Sequence, residues 1–234
     1  MHRFGDVGST NDVAFELAER GEPAPFWVVA ERQLKGRGRR ARHWVSEPGN
    51  LYASLLLPEP APPDRLGTLS LVAAVALRRA ILSVPRIDSA ITLKWPNDIL
   101  IDGAKVSGIL LEAREGGALV VIGCGVNCAH HPPDTSYPAT DLHSAGLVVT
   151  PETLFAVLRK EMTEALRRWD KGACFSDIRT EWLASAYGMG APAAVAALEG
   201  TVRGVARSID MDGRLVMDVA GREMVIAAGD LVSG

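Results

Sequence analysis

The sequence predicts an α+β fold: a mixed central β-sheet flanked by helices, followed by a small C-terminal β-barrel. Two observations point to the first layer. Strand-like apolar runs such as "FWVVAE", "LYASLLL" and "ALVVIGCGVN" recur through the first half of the chain, and long helical segments such as "LGTLSLVAAVALRRAILSV" come between and after them. A third points to the barrel, because after "GMGAP" the pattern changes to short alternating segments separated by turns. With 234 residues, 47% of them hydrophobic, the chain can fill one ordinary core and a small second one. The expected division is 1–187 and 188–234.

Taken in order, Ser9 or Thr10 can cap a helix over "DVAFELAERG", which Gly21 ends. "FWVVAE" and "LYASLLL" are strands, so the run "QLKGRGRRARHW" between them is a loop. A long helix spans about Pro63 to Val84. "ITLKW" is a strand halted by Pro96, and "DILIDGAKVSGILLEA" is a hairpin turning at Asp102-Gly103. "ALVVIGCGVN" is a buried strand, and the proline-rich "AHHPPDTSYPATDL" is a surface loop. Helices follow from Pro151, with Thr150 as cap, and around Asp177 to Tyr187. In the barrel, turns fall at Asp212-Gly213 and Ala220-Gly221.

The net charge of −3 gives no overall attraction to nucleic acid or anionic membrane, so an anionic ligand must be met by local charge. The N-terminus has no apolar targeting segment, and Arg78 and Arg79 break the most apolar helix, which therefore belongs in a core. Three cysteines without a CxxC suggest reduced thiols and a cytoplasmic location. No block repeats at a fixed spacing.

The concentrated positive charge is the run with Arg37, Arg39, Arg40 and Arg42. "GRGRRA" matches the dinucleotide fingerprint formally, but it leads through Pro48-Gly49 into a strand instead of opening a helix, and no P-loop occurs elsewhere. Two readings remain: a solvated basic loop, or a mobile loop whose Gly36 and Gly38 permit close backbone approach while its arginines grip phosphate or carboxylate. "KWPND" sets Lys94, Asn97 and Asp98 just past a strand end, as an ordinary turn or as ligand contacts. Lys105 in "DGAKVSG" is a solvated hairpin lysine or an anion contact. His130 and His131 lack a partner at metal-ligand spacing, and no residues are assigned to a metal.

"GSTND", "QLKGRGRRARHW", "KWPNDILIDGAKVSGILLE" and "GCGVN", in that order, resemble the catalytic domain of biotin–protein ligases, a fold of the class II aminoacyl-tRNA synthetase and biotin ligase kind. The C-terminal barrel looks like that family's SH3-like module. The resemblance implies that ATP and biotin are substrates, that biotin is activated as biotinyl-5′-AMP, and that it is passed to a lysine of a biotin carboxyl carrier protein. It assigns catalytic roles to Lys105, Arg39 and Lys94, and biotin contacts to Ser9, Thr10, Asn11, Gln33, Gly36, Arg37 and Gly108. It assigns nucleotide contacts to Arg39, Arg40, Arg42, Trp44, Asn97, Asp98 and Asn127, with Mg²⁺ hydrated near Asn97 and Asp98. The "GCGV" backbone is expected to admit the adenine ring. Ala41 stands where the family usually has glycine, which matters if that residue needs a positive φ. The chain starts a few residues before "GST", so no DNA-binding domain is expected and the protein looks monofunctional. No nucleic acid or membrane partner is expected, and a homodimer is left open. The alternatives are a lipoate or octanoate ligase or transferase of related fold, and a non-catalytic ligand-binding module.

Overall fold

The computed structural model describes residues 1–84, 89–197 and 200–233. Seven strands form a mixed sheet: β1 (His2–Val7), β2 (Phe26–Gln33), β3 (Leu51–Pro58), β4 (Ile91–Lys94), β5 (Asp98–Ile101), β6 (Ala104–Arg114) and β7 (Leu119–Val126), in the order β1-β2-β3-β7-β6-β5-β4. Only β1 and β2 run parallel. The sequence did not reveal β1, a mostly exposed edge strand whose "HRFGDV" has no apolar run.

Helix α1 (Thr10–Glu19) covers one face, where Ala14 and Phe15 pack with Phe26, Val28, Leu56 and Val121. The opposite face meets α2 (Leu69–Leu82), α3 (Pro151–Trp169) and α4 (Phe175–Leu183), with Trp27, Val29, Leu55, Val120 and Ile122 pointing into them. Both faces are therefore buried, so β2 and β3 read as continuous apolar runs rather than alternating ones.

Local chemistry sets the helix ends. Gly21 (φ +85°) stops α1 in a Schellman arrangement, its N–H donating to the Ala18 carbonyl and that of Glu22 to Leu17. Ser9 occupies the N-cap position of α1 in extended conformation, but its side chain makes no capping bond and lies buried. Thr150 caps α3, Oγ1 accepting from Thr153 N at 3.2 Å. The helix expected from Pro63 begins as a 3₁₀ turn (Pro63–Thr68) and becomes α-helical only at Leu69. The last helix stops at Leu183, short of Tyr187. The free edge of β4 captures the following residues: Leu93 N donates to the Ser185 carbonyl and Tyr187 N to that of Leu93, both at 2.8 Å.

The C-terminal strands β8 (Pro192–Ala197), β9 (Gly200–Ile209), β10 (Leu215–Val219), β11 (Arg222–Ile226) and β12 (Asp230–Ser233) form an antiparallel sheet of order β11-β10-β9-β8-β12. Among the described residues it is an open ladder with β11 and β12 at its edges. The Ala220-Gly221 turn has φ of +52° and +80°, as a two-residue hairpin requires. Among the described residues this sheet has no core of its own, because Val195, Ala206, Leu215 and Leu231 belong to the same apolar cluster as α2, α3 and α4. Arg179 on α4 donates to the Ile209 carbonyl (2.6 Å) and to Ser208 Oγ (2.9 Å), and Trp95 Nε1 donates to the Gly213 carbonyl (3.0 Å). Among the described residues no helix is long and apolar enough to cross a membrane.

The α3 cap gives a stability prediction. Thr150→Ala should lower the unfolding free energy by about 1 kcal/mol and the melting temperature by roughly 2–4 °C, measured by thermal melts; an unchanged Tm would show the cap to be idle.

Candidate active site

A cleft of about 340 Å³ opens above β6 and β7, between the start of α1, the arginine run, the β4–β5 turn and the start of β12. Its two ends differ chemically.

At the α1 end the wall is neutral. Ser9, Thr10 and Asn11 are buried there beside Gln33 from the end of β2. Gln33 Oε1 accepts from Thr10 N (2.9 Å) and Thr10 Oγ1 (3.0 Å). Ser54 Oγ lies 2.7 Å from Thr10 Oγ1 and 2.6 Å from Asn11 Oδ1, so its single proton serves one of them at a time. Asn11 Nδ2 donates to Glu112 Oε2 (2.6 Å). Gly123 makes this possible, since a Cβ there would sit 2.5 Å from Asn11 Oδ1.

The arginine run is a short hairpin rather than an open loop. Its stem is closed by Trp44 N donating to the Gly36 carbonyl (3.0 Å) and Gly38 N to that of Arg42 (2.7 Å). At the tip Arg40 and Ala41 both take left-handed backbone, φ +56° and +55°. The position where alanine replaces the family's usual glycine is therefore one that needs a positive φ, a cost of roughly 1–2 kcal/mol for an L-residue. One carboxylate answers three guanidiniums here: Asp230 on β12 is 3.0 Å from Arg39, 3.5 Å from Arg40 and 2.8 Å from Arg42. Arg39 also donates to the Gly229 carbonyl and Arg40 to that of Ala196, each at 2.8 Å. Burial lowers the Arg39 pKa while Asp230 pulls it back up.

At this same end stand two lysines. Lys105 Nζ pairs with Asp98 Oδ1 at 2.7 Å and lies between the rings of Trp44 and Tyr137, 5.5 and 5.3 Å from their centroids. The loop carrying Tyr137 brackets Lys105: Lys105 N donates to the Pro138 carbonyl and Thr140 N to that of Lys105. Lys94 has no salt-bridge partner among the described residues; burial depresses its pKa, Asp98 opposes that, and Lys105 adds to it.

The structure gathers Ser9, Thr10, Asn11, Gln33, Arg37, Arg39, Arg42, Trp44, Lys94, Asn97, Asp98, Lys105 and Gly108 around this cleft. Three expected contacts stand outside its wall. Gly36 is buried under the hairpin, where a Cβ would come 2.8 Å from Ser46 Oγ and from the Trp44 carbonyl. Arg40 points to the C-terminal sheet. Asn127 is spent on structure, its Nδ2 donating to the Thr140 carbonyl at 3.0 Å. Asn97 lines the cleft, but its Nδ2 is committed to the Ile109 carbonyl (2.6 Å). Arg37 faces Asp12 and Glu112 rather than an open anion site. The "GCGV" backbone admits the protein's own side chains: a Cβ on Gly125 would sit 2.8 Å from the Trp44 ring, as one on Gly123 would strike Asn11. Sequence reasoning gave no role to Asp12, Glu112, Tyr137 or Asp230. Asp12 and Glu112 did carry a signal, as the last residues of "GSTND" and "KWPNDILIDGAKVSGILLE".

The comparisons with known proteins agree with this fold. A family model described as the biotin/lipoate A/B protein ligase family matches residues 6–127. The biotin--[acetyl-CoA-carboxylase] ligase of Paracoccus denitrificans is 36% identical, across 94% of this chain and 95% of that protein. The ligase of the same name from Mycobacterium tuberculosis is 32% identical, across 97% and 86%. Among solved structures, the Aquifex aeolicus biotin protein ligase in complex with biotin and ATP superposes with a TM-score of 0.85 at 26% identity, covering 98% of this chain and 96% of that one. Fold and cleft thus define an enzyme of the ligase class. The chain belongs to the biotin/lipoate A/B protein ligase family, on its biotin–protein ligase side.

The latch at Asp230 is directly testable. Asp230→Asn removes the shared charge, so amide exchange across 39–44 should rise about tenfold, the equivalent of roughly 1.4 kcal/mol. Unchanged protection would mean that the carbonyl contacts alone hold the tip.

Proposed function

We propose that this chain joins biotin to ATP as biotinyl-5′-AMP and then transfers biotin to a lysine of a biotin carboxyl carrier protein. The observation that carries this reading is the polarity of the cleft. Its hydroxyl and amide end suits an uncharged ureido ring with its carbonyl and N–H groups. The other end has Lys94, Lys105, Arg39 and Arg42 against only Asp98 and Asp230, an excess of two positive charges for a carboxylate and a phosphate.

In the first step a biotin carboxylate oxygen attacks the α-phosphorus, the new P–O bond forms, and the bond to pyrophosphate breaks. Two anions must approach each other. Lys105 stands at the basic end, held between Trp44 and Tyr137, and its ammonium can bridge carboxylate and α-phosphate, lowering their repulsion where charge builds up. Lys94 is uncommitted and meets phosphate oxygens. Arg39 and Arg42 close over them, and Trp44 with Tyr137 offers the aromatic surface for adenine. In the second step the carrier lysine's neutral amine attacks the anhydride carbonyl, AMP leaves, and the nitrogen loses its proton.

Among the described residues no three His, Cys, Asp or Glu side chains gather to hold a metal. Mg²⁺ would therefore arrive on the triphosphate, with Asp98 and the free Asn97 Oδ1 at hand to orient its water shell. The division at about 187/188, with an SH3-like C-terminal module, is part of the same reading, supported by the hairpin turns of that sheet and by the change from helices to antiparallel strands there.

Biotin-dependent release of pyrophosphate from ATP, followed by labelling of a carrier domain, tests the whole reading; no release with biotin would sink it. Within it, Lys105→Ala should slow single-turnover adenylation by about 2–4 kcal/mol of barrier while calorimetric biotin affinity falls far less. Equal losses in both would make Lys105 a ground-state contact.

Arg39→Gly should loosen the grip on the bound adenylate by about 1.5–3 kcal/mol. The variant should still consume biotin and ATP but label bystander lysines on albumin. Retained adenylation without stray labelling would assign retention of the adenylate to another residue.

A further inference from the structure

Arg37 stands apart from the other arginines of the hairpin. Its Nη1 and Nη2 donate to the two oxygens of Asp12 on α1 at 2.8 and 2.6 Å, a bidentate pair. Nε and Nη2 donate to Glu112 on β6 at distances of 2.9 to 3.2 Å. Four of its five N–H groups are thereby used. The cluster carries one guanidinium against two carboxylates, so it does not attract a further anion, and Arg37 is unavailable to a bound acid.

The clamp reaches beyond the arginine. Glu112 Oε2 also accepts from Asn11 Nδ2 at 2.6 Å, and Asn11 continues through Ser54 to Thr10 and Gln33. On the other side, Arg37 sits in the hairpin stem, opposite His43 in a β-bridge. One carboxylate therefore fixes both the neutral wall of the cleft and the base of the basic hairpin. The tip, by contrast, is held among the described residues to the C-terminal sheet.

We propose that Asp12 and Glu112 are positioning residues for the acid substrate: by clamping Arg37 they make the stem a fixed hinge about which the Arg39–Arg42 tip opens, and through Asn11 they hold the wall that receives the neutral end of the acid. This rests on the reading of the cleft as a biotin site. The clamp lies at the neutral end, away from the lysines, so it governs binding rather than the chemical step.

The test compares wild type with Asp12→Asn and Glu112→Gln, and with the charge-conserving Asp12→Glu and Glu112→Asp. Amide exchange across 36–44 is measured without ligand, and KM for biotin and kcat from pyrophosphate release. Loss of either carboxylate should speed stem exchange about tenfold, and Glu112→Gln should raise KM for biotin roughly 10–100-fold with kcat within about threefold. The charge-conserving pair should recover part of both. Unchanged stem exchange, or a fall in kcat at constant KM, overturns the proposal. Should Glu112→Gln not fold, Arg37→Lys keeps the charge without the fork and is expected to shift the same two quantities in the same direction. A wild type without biotin-dependent turnover defeats the functional reading, and the ligand-free exchange arm still decides on the hinge.

Discussion

The roof of the cleft depends on one carboxylate. Arg39, Arg40 and Arg42 crowd three like charges onto a tip that also bends through two left-handed residues, and neither feature favours itself. Asp230 offsets both by giving the three guanidiniums one point on which to converge. The pairs are unequal. That with Arg39 has side chains 22% and 24% exposed, whereas Arg42 is 56% exposed, so solvent screens the second far more. The tip still carries two unbalanced charges after this, which keeps it attractive to an anion.

Cations in the cleft are sorted by what they already hold. Arg37 is neutralised twice over and serves the architecture. Lys105 is paired with Asp98 but keeps its position between two rings, so it can turn toward a nearby anion without leaving its site. Lys94, whose charge burial disfavours, gains most from a phosphate. On the proposed reading, such a gradient of commitment would order a bound acid by direction: uncharged end to the helix start, charged end to the lysines.

Much of this was legible in the sequence because it is local. The strands around the arginine run, the Asp102-Gly103 hairpin, the Gly21 stop and the Thr150 cap each depend on neighbours within a few residues, and the motif residues fall at the ends of those elements. What stayed hidden is what the chain brings together from afar. Asp230 is about 190 residues from Arg39, and Glu112 is 75 from Arg37; nothing near either carboxylate marks its partner. Asn127 and Arg40 belong to recognisable motifs, yet their side chains turn to other backbone carbonyls, because motif membership does not fix side-chain direction. β12 went unseen for a related reason. It is four residues long and is a strand only because β8 offers an edge.

The apolar cluster that runs without a break from α2, α3 and α4 into the C-terminal sheet bears on how such proteins diverge. A module with its own interior can be exchanged between relatives like a cartridge. Here Val195, Leu215 and Leu231 fill the same interior as Trp169 and Trp182, while Asp230 at the start of the last strand latches the hairpin. A graft from a relative would have to match the interior shape and the charge register together. Drift in the last forty residues is thus constrained by a site whose recognisable motifs all lie before residue 128.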